Sequence, residues 1–125
     1  GLGGNSKMTA DDMVQALVKA HRNAVLRPIL KPIPMRDNKR RILKNHPITV
    51  DAKTGTLNYV SGLAGYMTAR DGRVMAFAIF AADEATRSRI SKANRESPQG
   101  ARSCNTRAKV MQQTLIDRWG PRYAT

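Results

Sequence analysis

The residues best suited to chemistry form the run Asp51-Ala52-Lys53-Thr54-Gly55-Thr56-Leu57. An ammonium at Lys53 can offset developing negative charge, and the Thr54 hydroxyl can donate a hydrogen bond to a carboxylate. If the run is a strand, Thr56 points the same way as Thr54, because side chains two residues apart share a face. Gly55 lets a bound molecule approach the backbone where a side chain would block it. Together these residue types could hold a carboxylate and stabilise an oxyanion.

Three strands are predicted to position this run. Residues 48–58 are rich in Val, Thr and Leu, and residues 60–69 alternate around small side chains. Arg70-Asp71-Gly72 carries the Asp-Gly pair that is typical of a turn. Residues 73–82 then form a strand that is apolar on both faces. Such a strand is covered on both sides, so the sheet is expected to lie between helical layers.

Helices are predicted at both ends of the chain. Thr9 is a typical helix N-cap with Asp12 as its capping-box acid, which predicts a helix over residues 9–22. A second helix is predicted over residues 103–119, capped by Ser103 or Asn105 and stopped by Gly120-Pro121. The fold class is therefore α/β (α+β), with a three-stranded antiparallel meander flanked by N- and C-terminal helices.

The segment between the first helix and the sheet, residues 26–47, is predicted to be a long basic loop. It holds Pro28, Pro32, Pro34 and Pro47, which forbid a long helix and disfavour a central strand. One short helical turn is predicted within it, at residues 38–43. A three-stranded sheet with two helices leaves a sheet face short of cover, so the chain either oligomerises or is one part of a larger domain.

The tripeptide Lys53-Thr54-Gly55 alone is weak evidence, but here it lies in a predicted strand followed by two more. K-T-G accompanies S-x-x-K and S-D-N in acyl-serine enzymes that bind penicillin. The run A-K-T-G-T-L, followed by V-S-G-L-A-G-Y, resembles the serine-type D-alanyl-D-alanine carboxypeptidase/endopeptidase family of low-molecular-mass penicillin-binding proteins. Residues 1–8 and 100–120 also resemble segments of that family, and the similarity is weakest over residues 31–44.

The resemblance implies that residues 1–125 are the C-terminal part of a β-lactamase/transpeptidase-like domain. It implies a periplasmic parent enzyme that acts on peptidoglycan stem peptides, reacts with β-lactams and needs no metal or organic cofactor. Lys53 and Thr56 would be catalytic, with Lys53 beside the nucleophile and the Thr56 backbone N–H forming half of the oxyanion hole. Thr54, Gly55 and Thr56 would bind the substrate.

The nucleophile of such an enzyme is missing from this sequence. No Ser is followed by Lys at the third position after it, although Ser88 and Lys92 come close. Ser103-Cys104-Asn105 fits S-x-N, but it follows the sheet and is predicted to be a helix cap. The resemblance therefore places the serine, its lysine and the true S-x-N motif upstream of Gly1. We expect this chain to be inactive without that N-terminal catalytic part, in the same gene product or another chain.

The high positive charge of the chain is also compatible with partners other than a peptidoglycan stem peptide. Lys and Arg number 22 against 9 Asp and Glu, and the formal net charge of +13 attracts nucleic acid, acidic membrane surfaces or an acidic cell-wall polymer. A small basic nucleic-acid-binding domain is the alternative function. It lacks a helix with cations gathered on one face and an aromatic stacking pair, so no specific nucleic acid is expected. A third hypothesis is a structural piece that completes another chain's fold.

The remaining polar residues predict little chemistry. The cluster Lys39-Arg40-Arg41 is by default a solvated loop, and the alternative is a guide for acidic peptidoglycan stems. His21 and His46 lack Cys or acidic partners at ligand spacing and are predicted to be ordinary surface histidines. The single Cys104 excludes an internal disulfide. The longest apolar run, residues 74–82, is too short to span a bilayer, so no transmembrane segment is expected.

Overall fold

A computed structural model describes residues 7–57, 59–89 and 100–123. Within these ranges the chain is an α+β structure. Its elements, in chain order, are helix α1 (Ala10–His21), a 3-10 turn (Arg27–Ile29), strands β1 (Lys31–Pro32), β2 (Thr49–Leu57), β3 (Val60–Thr68) and β4 (Val74–Ala82), and helices α2 (Glu84–Arg89) and α3 (Ala101–Tyr123).

The sheet is antiparallel and has four strands in the order β1-β2-β3-β4. The prediction of three strands was wrong, because β1 forms within the predicted basic loop. Lys31 pairs with Ala52 and Pro32 with Asp51. Pro32 is tolerated because β1 is an edge strand, where a missing N–H breaks no ladder on the outer side. The meander of β2, β3 and β4 forms as predicted, with its second turn at Gly72, whose φ is +86°.

Helices lie on both faces of the sheet. On one face Val50, Leu63, Phe77 and Ile79 form a core with Ile116 of α3, which is fully buried. On the other face α1 packs on β4 and β3. There the Tyr66 hydroxyl donates to the backbone oxygen of Leu17 at 2.5 Å. Burial of Tyr66, which is 1% exposed, raises the pKa of its phenol.

The two long helices differ in how well their ends were predicted. α1 has the expected capping box, with Thr9 Oγ1 accepting from the Asp12 N–H at 3.0 Å. α3 begins at Ala101, so the prediction that Ser103 or Asn105 caps it was wrong. It also continues through Pro121 to Tyr123, whose carbonyl accepts a hydrogen bond from Arg73 Nη1 at 2.7 Å. A carbonyl satisfied in this way supports one more turn beyond the predicted stop.

Helix α2 was not predicted from its polar composition. Asp83 precedes it, and its carboxylate accepts hydrogen bonds from the N–H and the hydroxyl of Thr86, at 3.0 and 2.7 Å. These bonds lower the pKa of Asp83. The capping acid therefore starts a short helix that has no buried residue of its own.

The predicted helical turn at residues 38–43 was also wrong. Residues 35–44, which we name the basic hairpin, form an antiparallel bridge between Arg36 and Ile42 around a tight turn. Asp37 Oδ1 accepts from the N–H groups of Lys39 and Arg41, at 2.8 and 2.9 Å. Arg40 closes the turn with a left-handed φ of +65°. An Asp side chain that binds its own backbone favours such a turn over a helix.

His46 was predicted to be an ordinary surface histidine, but its side chain is only 15% exposed and has an acidic partner. Its Nε2 lies 2.8 Å from Asp117 Oδ1 on α3, and its Nδ1 lies 3.1 Å from the Ile48 nitrogen. Nε2–H donates to the carboxylate, while Nδ1 also lies 3.3 Å from the Ile48 oxygen and can accept from the Ile48 N–H or, when protonated, donate to that oxygen. The pair ties the end of α3 to the start of β2. His21, by contrast, is exposed and lies against the Tyr66 ring.

No helix in the described part of the chain is long and apolar enough to cross a membrane.

Candidate active site

The residues Lys53 to Thr56 lie together in the second half of β2, where the strand has one free edge. On its inner edge β2 pairs with β3, with Lys53 opposite Ala64 and Thr56 opposite Ser61. On its outer edge β1 pairs only with residues 51 and 52. From Lys53 onward the outer edge therefore has no strand partner among the described residues. Such an edge presents N–H and C=O groups to which an extended peptide can bind.

The side chains of the run divide between the two faces of the sheet. Thr54 and Thr56 lie on the α3 side, opposite Leu63 and Ser61 of β3, and both are exposed. Lys53 lies on the α1 side and is also exposed. Its ammonium donates to the backbone oxygen of Thr54. The lysine thus folds back along the strand edge, on the face opposite to the two hydroxyls.

The acidic residue next to the motif is already paired. Asp51, two residues before Lys53, accepts a hydrogen bond from Arg27 Nε at 3.3 Å. Arg27 also donates to the Thr68 hydroxyl at 2.6 Å. Within the described ranges Lys53 makes no salt bridge, so its positive charge is available to an anionic ligand at the free edge.

The space beside Gly55, where a side chain would lie, is not occupied by any described residue. A Cβ atom built at Gly55 would meet no atom within 4 Å. At Gly65, on β3, the same atom would lie 2.2 Å from the backbone oxygen of Asp51. Packing within the chain therefore requires a glycine at position 65 and does not require one at position 55. The open space at Gly55 is where a ligand could approach the strand.

The motif lines an open strand edge rather than a closed cavity. Three clefts of the described structure lie elsewhere: one of about 310 Å³ beside His46, one of about 600 Å³ beside β4 and one of about 370 Å³ beside α2 and α3. None of these is lined by Lys53 to Thr56. The Lys53 ammonium, the two threonine hydroxyls and the open backbone lie instead along the free edge of β2.

Sequence comparison identifies the family of the chain. A model of the D-Ala-D-Ala carboxypeptidase 3 (S13) family matches residues 1–99, which include the whole of β2, β3 and β4. The chain belongs to this family. The resemblance stated from the motif is thereby confirmed for a D-Ala-D-Ala carboxypeptidase segment. No curated protein and no solved structure matches the chain significantly.

Asn105 is a residue of this carboxypeptidase segment that the sequence did not predict. It lies on α3, beyond the family match, and its Nδ2 donates to the backbone oxygen of Leu57 at 2.9 Å. Its Oδ1 is buried and has no hydrogen-bond partner in the described structure. The bond attaches Leu57, the last residue of β2 and the neighbour of Thr56, to α3. Ser103-Cys104-Asn105 was interpreted as a helix cap, and no local pattern reveals a contact between residues so far apart.

The carboxypeptidase segment offers no metal site in its described part. No group of three or more His, Cys, Asp or Glu side chains there could hold an ion. Cys104 is half-buried on α3. The groups that the described part of β2 offers to a ligand are the Lys53 ammonium, the two threonine hydroxyls and the backbone.

Proposed function

We propose that this chain is the C-terminal segment of a periplasmic, serine-type D-Ala-D-Ala carboxypeptidase that acts on peptidoglycan stem peptides through an acyl-serine intermediate. The observation that carries the proposal is the Lys53-Thr54-Gly55 motif on the free edge of β2 in a chain of the carboxypeptidase family. The domain would have the β-lactamase/transpeptidase-like fold. The described sheet, with helices on both faces, supports that assignment.

The geometry suggests how β2 would bind the substrate. The stem peptide would lie extended along the free edge and bond to the backbone of residues 53–57. The Thr54 hydroxyl would donate to the terminal D-Ala carboxylate, and the open space at Gly55 would admit the peptide backbone. The Lys53 ammonium would add a positive charge that favours an anionic C-terminus.

The same groups would stabilise the reaction. The serine oxygen would attack the carbonyl of the penultimate D-Ala, and its proton would pass to the amine of the departing D-Ala. Lys53 would lower the free energy of the alkoxide, and the Thr56 N–H would donate to the developing oxyanion. Water would then release the acyl group from the serine. β-Lactams would acylate the same serine.

The serine itself would come from the segment upstream of Gly1. The outer edge of β4 has no strand partner among the described residues. Beside it lies the cleft of about 600 Å³, lined from both helical layers by residues that include Val14, Phe77, Trp119 and Tyr123. A long apolar edge strand is unfavourable in water unless another strand or loop covers it. We propose that the upstream catalytic part docks on this edge.

We expect the full-length protein to release D-Ala from a pentapeptide stem, and Thr54→Val to raise KM more than it lowers kcat. Thr54→Val keeps the strand and removes the donor to the carboxylate. Thr49→Val, at an exposed position of the same strand, is the matched control. Absence of D-Ala release by the full-length protein would contradict the proposed function. Equal kinetics of Thr54→Val and the control would contradict the role of Thr54.

Asn105→Ala is expected to lower the acylation rate of the full-length enzyme about tenfold with little change in KM. Loss of the bond to Leu57 would loosen the end of β2 and misplace the Thr56 N–H, and small misplacements of reacting groups lower rates strongly. The control is Gln113→Ala, which removes bonds from α3 to the Pro34 oxygen and to Arg40, away from the motif. Its loss should lower stability by about 0.5–1.5 kcal/mol but leave kcat unchanged. Equal kcat losses in both variants would contradict a positioning role for Asn105.

A further inference from the structure

The basic hairpin combines cations with exposed aliphatic side chains. Over residues 36–44 the sequence has five cations and one carboxylate, Asp37. Ile42 is 55% exposed and Leu43 is 40% exposed. Lys39, Arg41 and Lys44 beside them are also exposed. Large aliphatic side chains in water are unfavourable, and here they occur next to cations within one short segment.

Hydrogen bonds hold the hairpin that carries the exposed Ile42 and Leu43 side chains. The Leu43 N–H donates to the Met35 oxygen at 2.8 Å, and Met35 is only 3% exposed. Arg40 Nη1 lies 3.3 Å from Gln113 Oε1, which attaches the hairpin to α3. The Asp37 pKa is lowered, first by the hydrogen bond from the Arg41 N–H, so the bonds that hold the turn also stabilise the ionised carboxylate. The aliphatic and basic side chains therefore extend from a hydrogen-bonded backbone that is attached to α3.

We infer that the basic hairpin is a docking surface for an anionic phospholipid bilayer. Cations attract acidic headgroups, and adjacent aliphatic side chains gain free energy by entering the boundary of the acyl chains. A hydrated polyanion would use only the cations and would leave Ile42 and Leu43 in water. The hairpin also has no aromatic side chain on which a nucleic-acid base could stack. A lipid surface is the partner that matches both properties, and the inference does not depend on the proposed peptidase chemistry.

The test is cosedimentation of the full-length protein with vesicles of phosphatidylcholine, alone or mixed with phosphatidylglycerol. We expect binding to the mixed vesicles, weakened by salt, and little binding to the neutral ones. Lys39→Gln with Lys44→Gln should weaken binding about 30-fold, since each cation near an anionic surface contributes about 1 kcal/mol. Arg22→Gln with Arg70→Gln removes the same charge from exposed positions outside the hairpin and should have a much smaller effect.

A second pair of variants tests the aliphatic contribution. Ile42→Ser with Leu43→Ser keeps every charge and should weaken binding to the anionic vesicles about tenfold or more. Two results would overturn the inference. One is an equal loss of binding in the two charge-removal pairs, which would mean that net charge alone attracts the vesicles. The other is strong retention by peptidoglycan sacculi or duplex DNA, unaffected by Ile42→Ser with Leu43→Ser, without vesicle binding.

Discussion

Lys53→Ala in the full-length enzyme is expected to slow acylation by a β-lactam by about a hundredfold or more, with almost no change in thermal stability. The ammonium is exposed, and its only described hydrogen bond is to the adjacent Thr54 oxygen, so it contributes little to packing. Its positive charge would act on the alkoxide and oxyanion that develop during acylation. The measurement is the rate of labelling by a fluorescent penicillin, together with the melting temperature of each variant.

Lys31→Ala is the matched control for this experiment. Lys31 is an exposed lysine on β1, opposite Ala52, and lies outside the motif. We expect it to acylate at close to the wild-type rate. Wild-type acylation by Lys53→Ala would show that the motif is a coincidence. Equal losses in the two variants would show that net charge, rather than the position of Lys53, affects the reaction.

The second large effect is on the free energy of unfolding, which should fall strongly for an alanine at position 65 and hardly at all for one at position 55. Gly65→Ala should destabilise the protein by about 3 kcal/mol or more, because the new Cβ would lie 2.2 Å from the Asp51 oxygen in the pairing of β2 with β3. Gly55→Ala adds the same methyl group where no atom lies within 4 Å, so its stability should change by less than about 0.5 kcal/mol. Urea unfolding of the full-length variants measures both.

The variant with the smaller effect on stability, Gly55→Ala, should have the clear effect on substrate binding. Gly55→Ala should remain folded but bind a stem-peptide substrate more weakly, because its methyl group would occupy the space proposed for the peptide backbone. Unchanged KM in Gly55→Ala would contradict the proposed approach of the substrate to β2. A stable Gly65→Ala would contradict the β2–β3 pairing itself.

The elements that could be predicted from sequence depend on local signals. The meander of β2 to β4 follows from β-branched and apolar runs separated by Asp71-Gly72. Helix α1 follows from the Thr9 and Asp12 capping box. The missed elements depend on single hydrogen bonds or distant pairing. β1 exists because Ala52 and Asp51 offer an edge, and the basic hairpin exists because Asp37 bonds to its own backbone.

In the candidate site, too, the contiguous residues could be predicted from sequence and the contacts between distant residues could not. Lys53 to Thr56 could be found because the motif is contiguous, and the strand period correctly placed Thr54 and Thr56 on one face. The contacts of Asn105 with Leu57 and of His46 with Asp117 join α3 to β2 and to the residues just before it, and each pair is at least 48 residues apart in the chain. Such pairs have no sequence spacing by which they could be recognised. The roles of the motif residues in catalysis remain predictions that the variants above test.

The central claim is that this chain supplies one wall of an acyl-serine active site and lacks the nucleophile. The most direct measurement is covalent labelling of the full-length protein, and of residues 1–125 alone, with fluorescent penicillin, followed by mass mapping of the adduct. We predict one labelled serine in the full-length protein, within an S-x-x-K motif upstream of Gly1, and no label on the 125-residue chain. A covalent adduct on the isolated chain, or no adduct on the full-length protein, would contradict the account.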